Sequence, residues 1–357
     1  MAVTAATTVA VVGAGIAGLA AAWELERAGA AVMVLESERR PGGVIVTERR
    51  DGFVVEGGPD GFLAAEPDLP ALARELGIGD RLVDQLARGA AAWTGSRFEA
   101  LAEGSAAALL GIEVRGEDLG AGFRSFAGGM GAVVEALVAR LGPAMRTAAG
   151  VTGISPSARG YRLTLTGGSA LDVDGVILAL PAFAAARLLA TLGVSSARAL
   201  GEVVYQPSVT VSLAYRSDHI GEPLQGTGFV AAAAAPGVVR ACTYASAKYP
   251  GRAPAGRVLL RAFLAPSDGE PGDLAHAELA PLLRITDAPL WTRAFHWPRG
   301  LPRHEAHHAA RVGRVRERLA RLPPIALAGA GCDGAGVSAC VRSGREAASE
   351  VIRRLGA

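Results

Sequence analysis

The segment Thr8–Val12 is a β-branched apolar run that leads directly into Gly13-Ala14-Gly15-Ile16-Ala17-Gly18, and a helical pattern continues from Leu19 to Ala28. The short apolar run reads as a buried parallel strand. Gly29 stops the helix, and a second buried strand, Ala31–Leu35, ends at Glu36. In a chain with 47 glycines the G-x-G-x-x-G spacing alone says little. Set between a strand and a helix, with an acid closing the next strand, it meets the requirement of a dinucleotide fingerprint. Gly13 permits the tight turn, Gly15 lets backbone approach a pyrophosphate with no Cβ in the way, and Gly18 lets the helix pack close to the strand. The unpaired N–H groups at the helix start then face phosphate oxygens, aided by the helix dipole. Glu36 falls 21 residues after Gly15, where it can accept hydrogen bonds from an adenosine ribose. An acid there disfavours a 2′-phosphate.

Composition narrows the classes. A length of 357 residues suggests two domains. Half the residues are apolar and 20% charged, which excludes wholesale disorder. Thirty-six basic against 34 acidic residues leave no electrostatic case for nucleic acid. The basic residues are almost all arginine, with Lys248 the only lysine. Cys242, Cys332 and Cys340 are too few and too scattered for a disulfide framework or a cysteine-rich metal centre. The N-terminus lacks the basic region of a signal peptide, and no apolar run reaches the ~18 residues of a spanning helix, so a reducing cytoplasm is the expected compartment.

The stretch Glu36-Ser37-Glu38-Arg39-Arg40-Pro41-Gly42-Gly43 resembles the E-x-x-x-R-x-G-G extension of the flavin amine oxidase superfamily. It adds a second glycine turn at the pyrophosphate with Arg40 as a nearby cation. A nicotinamide enzyme needs no such loop, so FAD is the expected cofactor. Further blocks are similar to the FAD-dependent protoporphyrinogen/coproporphyrinogen oxidase family: Arg50–Leu63, Phe126–Met130, Arg240–Tyr244, Lys248–Pro254, Trp297–Pro302 and Ala328–Val337. The fold this implies is α/β, a Rossmann-like FAD-binding domain with an inserted antiparallel-sheet substrate domain. Residues 1–67, 124–204 and 320–357 would form the first part; 68–123 and 205–319 would form the second. By the resemblance, FAD contacts fall on Gly13, Ala14, Gly15, Ile16, Ala17, Gly18, Glu36, Arg40, Gly43, Val44, Gly58, Pro59, Asp60, Gly61, Val151, Trp297, Ala335, Gly336 and Val337.

The chain departs from the family in length. It is shorter by on the order of a hundred residues between Leu63 and Phe123, where Gly111–Asp118 resembles a remnant of a family turn. The missing helical part roofs the substrate pocket in the family and contributes to peripheral membrane contact. The activity implied is oxidation of protoporphyrinogen IX or coproporphyrinogen III by hydride transfer to flavin N5, with O2 as acceptor giving H2O2, in haem biosynthesis. Aromatisation drives the reaction, so no catalytic acid or base is singled out. Arg97, Arg115, Arg124, Arg240 and Arg299 are candidate partners for the propionates of a tetrapyrrole. Two other readings stay open: a compact flavin oxidase or dehydrogenase of another small molecule in specialised metabolism, and a flavin-binding carrier or chaperone without turnover. Oligomeric state, and whether a partner subunit completes the pocket, are not legible. His304, His307 and His308 share helical spacing, but no cysteine or firm carboxylate pattern accompanies them, and no metal is expected.

Overall fold

The structure, a computed structural model, describes residues 7–102 and 120–356, so the remnant turn Gly111–Asp118 with Arg115 lies outside the described residues. The two strands and the helix read from the N-terminus fold as Thr8–Val12, Ile16–Arg27 and Ala31–Leu35. They nucleate a five-stranded parallel sheet in the order Met145–Arg146, Ala31–Leu35, Thr8–Val12, Gly175–Leu178, Ile325–Leu327. Successive strand residues point to opposite faces, and the chain covers both. Val9 and Val11 pack into a helical layer formed by Ile16–Arg27, Gly131–Leu141 and Val337–Leu355. Ala10 and Val12 pack under a three-stranded antiparallel sheet, Val151–Ser157, Gly160–Leu165 and Ala170–Val173, flanked by the helices Ala182–Thr191 and His308–Leu319. Small residues let these layers approach: a Cβ on Gly344 of the last helix would sit 2.0 Å from the Ala17 carbonyl oxygen.

The second part is a seven-stranded, mainly antiparallel sheet whose long strands are Trp291–Pro302, Tyr205–Arg216 and Arg257–Leu264. Val211, Leu213 and Tyr215 turn one face toward the helix Pro271–Leu283. The alternate residues Thr210, Ser212 and Ala214 face the first part, where Ala214 packs with Phe53, Val55, Leu259 and Phe295. A ribbon, Thr47–Arg50 and Phe53–Glu56, therefore lies between the two sheets.

The ribbon turns at Asp51–Gly52, with φ of 51° and 80°. A two-residue hairpin loop wants positive φ at both central positions, and Asp-Gly satisfies it best. The final helix starts at Val337, where Gly336 takes extended N-cap geometry. Leu69, Leu72 and Ala73 of the helix Asp68–Glu75 join the core of the first part, whereas Ala91–Trp93 and Phe98–Ala100 extend the seven-stranded sheet. Among the described residues no helix is long and apolar enough to cross a membrane.

Candidate cofactor site

Two glycine turns meet at the C-terminal edge of the parallel sheet, where α/β folds bind ligands. A Cβ on Gly13 would lie 2.4 Å from the Ala179 carbonyl oxygen, and one on Gly18 would lie 1.9 Å from the Gly13 carbonyl oxygen. A Cβ on Gly15 would meet nothing within 4 Å. Gly13 and Gly18 are thus glycine for packing, whereas Gly15 faces open space. The first helical hydrogen bond runs from Leu19 N to Gly15 O, so the N–H groups of Ile16, Ala17 and Gly18 precede it and have no helical acceptor. Beside them Gly42 N donates to Ala14 O at 2.8 Å, and a Cβ on Gly43 would stand 3.3 Å from Gly15 Cα. Arg40 holds this second turn by its carbonyls, donating to Gly43 O at 2.6 Å and Ile45 O at 3.3 Å.

Glu36 is 8% exposed. Its Oε2 accepts from Ala14 N at 2.7 Å and its Oε1 from Glu38 N at 2.8 Å. The carboxylate ties the first turn to the end of the second strand and keeps acceptor capacity for a ribose hydroxyl. Ala149 N donates to Glu36 O at 2.7 Å, which brings the start of the strand Val151–Ser157 to the same edge.

The segment Gly57–Gly61 leaves this cradle for the second sheet. A Cβ on Gly58 would fall on the Val44 carbonyl oxygen, and one on Gly61 would sit 2.1 Å from the Tyr249 hydroxyl oxygen. The Gly57 carbonyl accepts three bonds: Trp297 Nε1 at 2.8 Å, Thr210 Oγ1 at 3.2 Å and Arg261 Nη2 at 3.4 Å. Farther along, Glu66 reaches Gly336, with a carboxylate oxygen 3.7 Å from where that glycine's Cβ would be. The closing segment Ala328–Val337 is anchored by Ser343 Oγ, which accepts from Gly329 N at 2.8 Å and donates to Asp333 at 2.6 Å. A Cβ on Gly329 would lie 3.7 Å from Ala17 Cβ, so the opening and closing loops adjoin. Val44 is an apolar side chain left 47% exposed at the cradle rim. The fit to FAD is therefore good. A cradle that a Cβ at Gly15 would enter, unpaired N–H groups and an acid at the strand end suit its ADP half. Val44, the segment Gly58–Gly61 and the helix start at Ala335–Val337 suit its ring.

The sequence reading missed a buried group of charges beneath that segment. Glu56, Arg252 and Arg261 are 4%, 2% and 5% exposed. Glu56 accepts from Met130 N at 2.7 Å and from Thr47 Oγ1 at 2.6 Å, and lies 3.4 Å from Arg252 Nη1. Arg252 Nη2 donates to Ser125 Oγ, which donates to Asp60 O at 2.7 Å. Lys248 Nζ lies 3.0 Å and 3.2 Å from the two carboxylate oxygens of Asp60. Burial alone raises the Asp60 carboxyl, but Lys248, Arg261 and Arg252 outweigh it and hold it below its ordinary value. Burial pushes the Glu56 carboxyl up, against the pull of Arg252. One signal was available: an arginine inside the apolar run Val258-Leu259-Leu260-Arg261-Ala262-Phe263-Leu264.

Other sequence candidates resolve differently. Arg97 pairs with Glu99 at 2.6 Å and Arg124 with Asp84 at 2.8 Å, so both guanidiniums are engaged. Arg240 is exposed, and Arg299 stacks 4.1 Å over the Phe183 ring. His304 and His308 stack at 4.1 Å and meet the carbonyl oxygens of Ala330 and Cys332 at 2.9 Å and 3.2 Å, so these rings support the closing segment. Among the described residues no group of three or more His, Cys, Asp or Glu side chains could hold a metal ion. Cys332 is buried, and burial pushes its thiol up to about 12.

Fold and site together define an FAD-dependent flavoprotein oxidoreductase. The chain belongs to the family of flavin-containing amine oxidoreductases, which it matches over residues 16–100 and 84–352. It is 28% identical to coproporphyrinogen III oxidase of Propionibacterium freudenreichii, covering 96% of this chain and 90% of that protein. It is 30% identical to the enzyme of that name from Bacillus subtilis over 57% of this chain and 45% of that protein. A solved structure from Exiguobacterium sp. 255-15, described as a candidate protoporphyrinogen oxidase, matches with a TM-score of 0.83 at 25% identity, covering 97% of this chain and 98% of that one. Cyclohexylamine oxidase from Brevibacterium oxydans shares the fold, with a TM-score of 0.77 at 16% identity over 99% and 100% of the two chains. The Propionibacterium alignment extends over 482 positions against the 357 residues here, so that relative carries segments without a counterpart in this chain.

Proposed function

We propose that this chain oxidises a porphyrinogen, protoporphyrinogen IX or coproporphyrinogen III, to the porphyrin in the cytoplasm, as a step of haem biosynthesis. The observation that carries the reading is a convergence. The two blocks most particular to the porphyrinogen oxidases, Lys248–Pro254 and Trp297–Pro302, both close on the segment Gly57–Gly61: Lys248 on Asp60, Tyr249 beside Gly61, Trp297 on the Gly57 carbonyl. The block Lys248–Pro254 carries none of the residues expected to contact FAD. Bound there, FAD supplies hydride acceptance at N5 and reoxidation by O2 to H2O2.

The chain's own residues supply position rather than acid or base. Trp297, Thr210 and Arg261 fix the Gly57 carbonyl, so the peptides that follow it, at Gly58 and Gly61, are preorganised to line the ring. The start of the helix Val337–Leu355 presents its N–H groups and positive dipole end beside Ala335 and Gly336. These groups suit the N1–O2 edge, where reduced flavin is negative. Among the arginines proposed for substrate carboxylates, Arg240 and Arg299 carry no acidic partner among the described residues and remain candidates, as does Arg115, which lies outside them.

A compact oxidase of another small molecule is the second reading, favoured by the segments that this chain lacks relative to the Propionibacterium enzyme. Incubating the FAD-loaded protein in air with each porphyrinogen separates the two. The proposal expects porphyrin fluorescence to rise faster than autoxidation, with H2O2 formed in step. Rates equal to the protein-free control with both substrates would sink it.

A further inference from the structure

The five side chains beneath the cofactor segment do not balance. Lys248, Arg252 and Arg261 face Glu56 and Asp60, so three formal cations meet two carboxylates in a region where three of the five residues are 2–5% exposed. Burying an uncompensated charge is costly unless something answers it. Inside the cluster the answer is incomplete. Arg261 Nε has no hydrogen-bond partner, and Arg252 Nη1 meets Glu56 only as an ion pair at 3.4 Å, without a hydrogen bond. The enclosed cavity between Glu56, Asp60, Ser212, Tyr249, Arg252 and Arg261 measures about 10 Å³, room for about one water and no counter-ion. The cluster is also coupled to the cofactor segment by direct bonds. Arg261 Nη2 donates to the carbonyls of Gly57 and Gly58, and Lys248 clasps Asp60 in the same segment.

We propose that this buried cluster is the electrostatic counterpart of the reduced flavin: its surplus cation stabilises the negative charge that reduction places on the ring, and the Asp60–Lys248 pair sets how much of that surplus the ring feels. Lys248 is the one lysine in a chain whose other 35 basic residues are arginine. A compact ammonium between the rings of Phe123 and Tyr249, at 5.2 Å and 5.1 Å, fills a space that a forked guanidinium would not. The inference rests on the FAD assignment and needs no porphyrinogen, so it can fail while the substrate reading stands, and the reverse.

The test is the midpoint potential of the bound flavin, with sulfite affinity as a second reading. Sulfite's sulfur lone pair forms a bond to N5 of oxidised flavin and leaves a negative charge at N1, so its dissociation constant reports the same field without any redox partner. Lys248→Met should lower the potential and weaken sulfite binding; Asp60→Asn should raise the potential and tighten it. A unit charge at an effective dielectric of ~20 gives changes of about three- to tenfold in each direction. The double variant Lys248→Met/Asp60→Asn should return to within about twofold of the parent. Opposite signs cannot come from loosened packing, which would move both single variants the same way. Equal signs, or no shift in either variant, overturn the proposal. Where Lys248→Met loses flavin, Lys248→Gln keeps a donor to Asp60 without the charge and carries the same expectation. Flavin retained by the double variant but lost by every single one also counts against it, since the pair would then serve the fold alone.

Discussion

Replacing Gly15 and Gly18 by alanine one at a time separates the role of cofactor cradle from that of packing. At Gly18 the added methyl carbon would lie 1.9 Å from the Gly13 carbonyl oxygen and 3.1 Å from Ala179 Cβ. Neither neighbour is a flexible side chain, so the helix must move away from the strand, and overpacking of this kind costs about 1–3 kcal/mol or more. At Gly15 the methyl carbon meets no atom within 4 Å, and φ is −67°, which alanine adopts freely. Lower entropy of the unfolded chain favours alanine there, and the loss of a good N-cap residue opposes it, so the two effects leave stability within about 1 kcal/mol of the parent. Binding responds in the other order. The Gly15 methyl enters the space a pyrophosphate needs, and a hydrogen bond from N–H to a charged phosphate contributes about 1.5–3 kcal/mol. Loss of two such bonds weakens FAD by about 3–6 kcal/mol, roughly 10²- to 10⁴-fold. Urea unfolding of the apoproteins gives the first quantity and quenching of FAD fluorescence the second. An apo Gly15→Ala protein as unstable as Gly18→Ala, or a Gly15→Ala protein that takes up FAD with parental affinity, would show that Gly15 is not part of a cofactor cradle.

Three further outcomes follow from the same contacts. Arg252→Gln leaves Glu56 without its buried counter-ion and should cost about 3–5 kcal/mol in urea unfolding. Asp60 is held below its ordinary 3.8, so its stabilising contribution is complete above pH 3.8 and is lost as pH falls through the lower native value. Asp60→Asn should therefore flatten the acid limb of a stability–pH curve. Cys242, Cys332 and Cys340 are buried with thiols pushed up to about 12 by burial, so native protein should give no reaction with a thiol reagent at pH 8, and denatured protein three equivalents.

The cofactor half of the molecule was legible because its signals are local. A strand, three glycines at fixed offsets and an acid 21 residues later are dictated by one ligand's shape, and they sit within a single βαβ unit. The closing segment Ala328–Val337 was legible only through resemblance, since nothing in its composition says that it returns to Ala17. The charges at Glu56, Arg252 and Arg261 were not legible as a group. They lie on a ribbon, a loop and a long strand, and only the register Ser212 with Arg261 brings them under Gly57. The core that receives the helix Asp68–Glu75 is not legible either, because its apolar face gives no indication of which of two cores it joins.

On the proposed function, the bound flavin takes its electrons from a porphyrinogen. Anaerobic mixing of the FAD-loaded protein with a stoichiometric amount of coproporphyrinogen III, and separately of protoporphyrinogen IX, tests it in one absorbance trace. The oxidised flavin band should bleach with one of the two, faster than in free FAD. A flavin that stays oxidised with both would contradict it.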